Sequence, residues 1–186
     1  MYRKVKFDIT IQNVILEHMK HEPTLKGLLI EGVECAGKTT LIKGIRDKIV
    51  PWDAKYLAHQ PGQQFERFMY EYMVNRNIIF NRGHFSEMVY SRLWGRETPF
   101  QSHELQVLND YVRRNLLVVL CDADTDTLEK RYGERNYSQK AVAPELGKIR
   151  ELFVDQFQGV ECLRYTSTDQ QNLERVLQEI KAKVVV

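Results

Sequence analysis

Short apolar runs alternate along the chain with segments in which apolar residues recur every three or four positions. Leu28-Leu29-Ile30, Ile78-Ile79-Phe80 and Leu116–Leu120 are nearly unbroken apolar stretches, as strands covered on both faces should be. Lys55–Ala58 and Cys162–Tyr165 are weaker runs and predict a second and a fifth strand. Between them the helical period takes over. Leu41, Ile42, Ile45 and Ile49 predict a helix from about Lys38, and Phe65, Phe68, Met69 and Tyr72 predict another. Met88, Val89 and Leu93 face inward on a helix from about Phe85 to Trp94, and Ser102 with Glu104 opens one running to about Arg114. Thr125-Asp126 is expected to cap the next helix. Pro144 opens one through Leu146, Ile149, Leu152 and Phe153, and Asp169 caps a last one through Leu173, Val176, Leu177 and Ile180. Strands that alternate with helices imply a parallel sheet covered on both faces.

The first residues stand apart. Ile9, Ile11, Val14, Ile15 and Met19 predict an amphipathic helix ending near His21, before Pro23. Residues 1–25 therefore read as an N-terminal helical extension, a packing appendage or a subunit contact, the latter making the chain a homodimer. His18 and His21 have no carboxylate at ligand spacing and read as surface residues. The length of 186 residues suits one domain, with 43% hydrophobic and 28% charged residues as in a soluble globular protein. A net charge of +2 argues against a nucleic-acid partner. Cys35, Cys121 and Cys162 form no CxxC pair, which fits a reducing cytoplasm, and no apolar run is long enough to suggest a membrane.

The chemistry-bearing stretch lies between the first strand and its helix. Gly32-x-x-x-x-Gly37-Lys38-Thr39 is the pattern of a phosphate-binding P-loop, and the strand before it and helix after it are the context that pattern needs. Backbone N–H groups of Gly32, Val33, Glu34, Cys35, Ala36, Gly37, Lys38, Thr39 and Thr40 would cradle the phosphates of ATP at a helix N-terminus. Lys38 would reach the β/γ-phosphates, and the Thr39 hydroxyl would meet Mg²⁺. Cys35, set among these amides, is expected to have a lowered thiol pKa and raised reactivity. The predicted fold is an α/β P-loop NTPase sandwich of three layers, with a five-stranded parallel sheet.

Glu31–Thr40 resembles the E-G-x-[DE]-G-x-G-K-T-T of the thymidylate kinase branch of the P-loop kinases, with Cys35 in place of a glycine. Asn81-Arg82-Gly83-His84-Phe85-Ser86-Glu87-Met88-Val89-Tyr90 is similar to its D-R-Y-x-x-S-x-x-A-Y, matching at Arg82, Ser86 and Tyr90. Pro61-Gly62 sits where that family has R-E-P-G-G, and Arg131 with Arg135 resemble its arginine-bearing lid. The resemblance spans about residues 26–183 and makes 26–186 a nucleotide kinase domain. It implies that Glu34 binds the acceptor's 3′-hydroxyl, and that Tyr90 packs on the sugar against a 2′-hydroxyl; Tyr90 as plain core stays open. Arg82 would clamp an acceptor phosphate bidentately. Arg131 and Arg135, on one helical face, read either as a closing lid or as a solvated charged face. Phe65 and Arg67 belong to an aromatic stripe that reads chiefly as core, with one or two members available to line a base pocket.

The sequence also departs from that family. Asn81 replaces the acidic residue associated with the Mg²⁺ water shell, His59 replaces an arginine, and Ser91 stands at a base-reading glutamine. The segment from Gly62 to Asn81 is shorter than in typical thymidylate kinases. These departures suit a divergent nucleotide kinase, such as a viral one. The expected reaction is transfer of the γ-phosphoryl of ATP, with Mg²⁺, to a deoxynucleoside monophosphate, dTMP or a related pyrimidine nucleotide. A deoxynucleoside kinase and a non-catalytic ATP-binding regulatory protein are the alternatives. The former wants a carboxylate base where Gln60 and Asn81 offer amides.

Overall fold

The computed structural model describes residues 25–57, 59, 62, 64–135 and 145–184. The N-terminal helix expected to end near His21, the Gln60-Pro61 turn, the polar run after Arg135, and Pro144 lie outside the described residues. Five strands, β1 (Gly27–Glu31), β2 (Asp53–Tyr56), β3 (Ile78–Asn81), β4 (Leu116–Asp122) and β5 (Leu163–Thr166), form one sheet in the order β2-β3-β1-β4-β5. Every pairing is parallel, with Gly27 opposite both Ile78 and Leu116. The helices are α1 (Lys38–Lys48), α2 (Gln64–Val74), α3 (His84–Leu93), α4 (Ser102–Asn115), α5 (Thr125–Glu134), α6 (Leu146–Gln156) and α7 (Gln170–Val184).

β1 is central because its side chains tolerate no water. Leu28, Leu29 and Ile30 are fully buried, and Leu41 and Ile45 of α1 join the same core. Three such side chains contribute about 1.5–3 kcal/mol each by burial. α3 packs on α6, α2 on α4 and α1 on α7, so the flanking helices hold one another as well as the sheet.

Several boundaries differ from the expected ones. β2 runs over Asp53–Tyr56 rather than starting at Lys55, because an edge strand that is mostly exposed carries no apolar run to mark it. β5 lies one residue later than expected, at Leu163–Thr166. The cap of α5 is Asp124, whose carboxylate accepts from the Thr127 N–H at 2.8 Å; Thr125 and Asp126 are already inside the helix. α4 is capped by Gln101 together with Glu104, which accepts from the Gln101 N–H at 2.7 Å.

Candidate active site

The chain turns sharply as it leaves β1. Gly32 has φ 134°, and a Cβ there would collide with the carbonyl oxygen of Cys121, so only glycine fits. Gly37, with φ 87°, closes the loop and starts α1. Lys38 folds back over this loop. Its Nζ donates to the carbonyls of Gly32 at 2.7 Å and Val33 at 2.6 Å. Burial, and then the nearby Arg82 charge, pull its pKa down to about 7. Thr39 and Thr40 are exposed on the first turn of α1.

Cys35 does not have the activated thiol expected from its place in the loop. It is 5% exposed, and burial pushes its pKa up. The charges of Arg135, Lys38 and Arg131 act in the opposite direction without overcoming that desolvation. Its backbone is left-handed, with φ 63°.

Arg82 follows β3 in a left-handed conformation, φ 73°, held by an N–H donated to Ile30 O at 2.9 Å. Its buried guanidinium is shared between two elements. One nitrogen donates to Glu34 Oε1 at 2.6 Å, and the other to Tyr90 Oη at 3.1 Å and Gly32 O at 3.3 Å. The Tyr90 hydroxyl donates to Glu34 Oε2 at 2.5 Å. Burial alone would raise the Glu34 pKa, but the Arg82 charge and the Tyr90 hydroxyl outweigh it and hold it below the usual carboxylate range. Behind them, fully buried Glu31 accepts from the Ser86 hydroxyl and, at 3.3 Å, from the Ser86 N–H. Burial lifts the Glu31 pKa.

Glu34, Arg82, Ser86 and Tyr90 thus lie together on the wall of a cavity of about 690 Å³. Phe65 and Arg67 are not part of that wall. Phe65 packs on the core, and Arg67 donates to Gln64 at 3.2 Å and lies 5.1 Å from the Phe68 ring. The far end of the cavity carries residues not singled out from the sequence, namely Glu87, Arg96 and Trp94, together with His59. Glu87 Oε1 lies 2.8 Å from His59 Nδ1, 3.2 Å from an Arg96 nitrogen and 3.4 Å from the Ser91 hydroxyl. A carboxylate on α3 one turn before Ser91, on the face opposite Phe85 and Val89, was the available sequence signal. A charged residue on a helix is more often solvated, which hid it.

A second cavity of about 340 Å³ opens across the loop, lined among others by Cys35, Gly37, Thr39, Arg131, Arg135 and Ser167. Arg131 is fastened there. It donates to Ser167 Oγ at 2.6 Å, Ser167 O at 3.1 Å and Cys35 O at 3.0 Å. It therefore ties α5 to the loop rather than projecting as a solvated charge. Asn81 Oδ1, at the end of β3, is buried with no hydrogen-bond partner among the described residues. An orphaned acceptor near the loop, with the exposed Thr39 hydroxyl, is a donor set that fits a hydrated Mg²⁺. Among the described residues, no helix is long and apolar enough to cross a membrane.

No family model matches the sequence, and no curated protein is similar to it. Solved structures are similar in fold. The YorR protein of Bacillus subtilis, in complex with phosphorylated GDP, is 18% identical with a TM-score of 0.66, over 84% of this chain and 97% of that one. Deoxyadenosine kinase of M. mycoides, with dCMP and dCDP bound, is 14% identical with a TM-score of 0.55, over 84% and 99%. Thymidylate kinase of Candida albicans is 12% identical with a TM-score of 0.55, over 86% and 92%. At such identities the likeness is one of architecture: the chain shares its α/β fold, here a five-stranded parallel sheet flanked by helices, with these structures.

Proposed function

We propose that the chain transfers the γ-phosphoryl group of ATP to a deoxynucleoside monophosphate, dTMP first among them. The observation that carries this reading is the pair of cavities on opposite sides of one glycine loop, with Lys38 and Arg82 at that loop. Phosphoryl transfer needs two phosphate-bearing partners brought into line and their charge neutralised, with little covalent work for the protein. The smaller cavity, walled by Arg131, Arg135 and Ser167, suits the donor; the larger, apolar-walled one suits a nucleotide acceptor.

Lys38 leaves the Gly32 and Val33 carbonyls for the donor's β/γ-oxygens, and the polyanion restores the charge that burial disfavours. Arg82 exchanges Glu34 for the acceptor phosphate, which presents a matching pair of oxygens. Glu34, released, accepts from the sugar 3′-hydroxyl, while Tyr90 lies against the sugar and crowds a 2′-hydroxyl. Arg131 and Arg135 neutralise charge from the donor side. Thr39 and Asn81 would hold the Mg²⁺, which supplies charge neutralisation between the phosphates. An acceptor phosphate oxygen bonds to the γ-phosphorus as the bond to the β-phosphate bridging oxygen breaks, giving ADP and a deoxynucleoside diphosphate.

A second reading, a deoxynucleoside kinase, is favoured by Glu34 itself. Its ionised carboxylate in the acceptor cavity is the base that a hydroxyl acceptor needs and that Gln60 and Asn81 do not provide. Incubating MgATP with each common nucleoside, ribonucleotide and deoxynucleotide, followed by chromatography, separates the two. Diphosphate from dTMP or another deoxynucleoside monophosphate is expected. Monophosphate from nucleosides establishes the second reading, and ATP binding without any product refutes both.

A further inference from the structure

The larger cavity is polar at two ends, and only one is used by phosphate and sugar. Arg82, Glu34 and Tyr90 occupy the end beside β1, where Arg82 reaches Gly32 O. Glu87, His59 and Arg96 occupy the end beyond β2, since His59 follows that strand. β2 and β1 are two positions apart in the sheet, so one cavity of about 690 Å³ offers separate polar groups to the phosphate and to the base edge of a mononucleotide. Tyr90 at one end and Trp94 at the other have ring centroids 5.2 Å apart and form a continuous aromatic wall suited to a flat ring.

Glu87 is 6% exposed and lines this cavity, yet its two oxygens are unequal. His59, Arg96 and Ser91 all approach Oε1. Oε2 has no partner among the described residues. A carboxylate oxygen is a strong acceptor with no donor capacity, and one without a protein donor on a cavity wall is open to a ligand's N–H. Arg96, stacked on Trp94 at 4.9 Å, supplies cationic donors beside it: its buried Nε makes no hydrogen bond among the described residues, and Nη2 makes only the 3.2 Å ion pair to Oε1. One open acceptor beside one donor group matches a ring N–H next to a carbonyl.

We infer that Glu87 is the specificity-determining residue for the acceptor's base, accepting through Oε2 from a ring N–H while Arg96 donates to the adjoining carbonyl. This rests on the nucleotide-kinase reading and sharpens it. With Oε1 already engaged, a single N–H is accommodated, as in the imide edge of thymine. Guanine would present two adjacent N–H donors to the one open oxygen.

The test uses dTMP and its N3-methyl analogue, which differ by that one donor. Binding is followed by quenching of Trp94 fluorescence and turnover by ADP release. The wild type is expected to bind the N3-methyl analogue about 10–100-fold more weakly, the loss typical of a charged hydrogen bond. In Glu87→Gln that difference should shrink to a few-fold, because the amide is a weaker acceptor and can turn its N–H₂ to the ligand. Equal binding of the two ligands by the wild type overturns the assignment while leaving the kinase reading intact. So does an undiminished difference in Glu87→Gln. A preference for dGMP over dTMP also refutes it. Should dTMP neither bind nor react, both the assignment and the nucleotide-kinase reading fall. The contrast between ligands on one protein stands even where the variant fails to fold.

Discussion

The two cavities are built by opposite means. The smaller cavity, the proposed donor side, takes Cys35, Gly37, Thr39 and Thr40 from one continuous loop and is closed by Arg131, Arg135 and residues 165–170. Its shape comes from backbone torsions that glycine permits at Gly32 and Gly37. The larger cavity, the proposed acceptor side, gathers Glu34, His59, Arg82, Glu87, Tyr90 and Arg96 from separate segments, and side-chain hydrogen bonds hold them in place. A backbone cradle depends on local sequence and little on protonation. A side-chain constellation depends on topology, burial and charge. The two halves should therefore fail differently when perturbed.

The largest effect is expected at the donor side. Lys38→Ala removes the one lysine positioned by the loop, and losses of about 10²–10³-fold in turnover follow the removal of one such group. No apolar packing goes with it, so melting should stay within about 5 °C of the wild type. Steady-state kinetics with a thermal melt checks both. A folded Lys38→Ala protein with near wild-type turnover would overturn the assignment of the loop.

This contrast also explains what could be read in advance. The strand, loop and first helix were legible because their signals are contiguous: an apolar run, two glycines at fixed spacing, then a 3.6-residue period. The parallel sheet followed from alternation, and the four-residue spacing placed Ser86 and Tyr90 on one face of the helix that follows Arg82. The edge strand β2 was misplaced because its exposed residues carry no periodicity. Glu87 and Arg96 were missed because a pair made across the fold leaves no local mark in either segment. Phe65 and Arg67 were singled out as an aromatic and a cation side by side, yet the helix turns both away from the larger cavity. For Cys35 the local amides and cations were visible, but the burial that raises its pKa was not.

Acid should loosen the acceptor side, through His84. This residue opens α3, the helix carrying Ser86, Glu87 and Tyr90, and is fully buried. It lies 3.0 Å from Tyr72 Oη through Nδ1 and 2.9 Å from Asn109 Oδ1 through Nε2, so a neutral ring donating to Asn109 satisfies both partners. Burial lowers its pKa to about 4, against an ordinary value of 6.5, with the Asn109 hydrogen bond acting weakly the other way. Because the folded state disfavours the charged ring, the contribution is whole above pH 6.5 and is lost as pH falls towards 4. The difference corresponds to about 3 kcal/mol. Urea unfolding between pH 7.5 and 4 should show this decline in the wild type and a much flatter one in His84→Gln, whose amide can serve Tyr72 and Asn109 without titrating. Parallel profiles in the two proteins would remove His84 as the cause.

The smallest effect probes the one place where the donor loop departs from backbone economy. Cys35 holds φ 63°, a left-handed conformation in which its Cβ crowds the following carbonyl at a cost of about 1–2 kcal/mol. Glycine adopts that conformation freely. Cys35→Gly therefore relieves strain in the folded state, but it also frees the unfolded chain and removes a small buried thiol from the core. The first change stabilises and the other two destabilise, so the net gain should be about 0.5–1 kcal/mol. Equilibrium urea unfolding at pH 7 measures it as a rise in midpoint at unchanged slope. A loss of stability would mean that the thiol's packing outweighs the torsional strain, and that even this loop is held in part by a side chain.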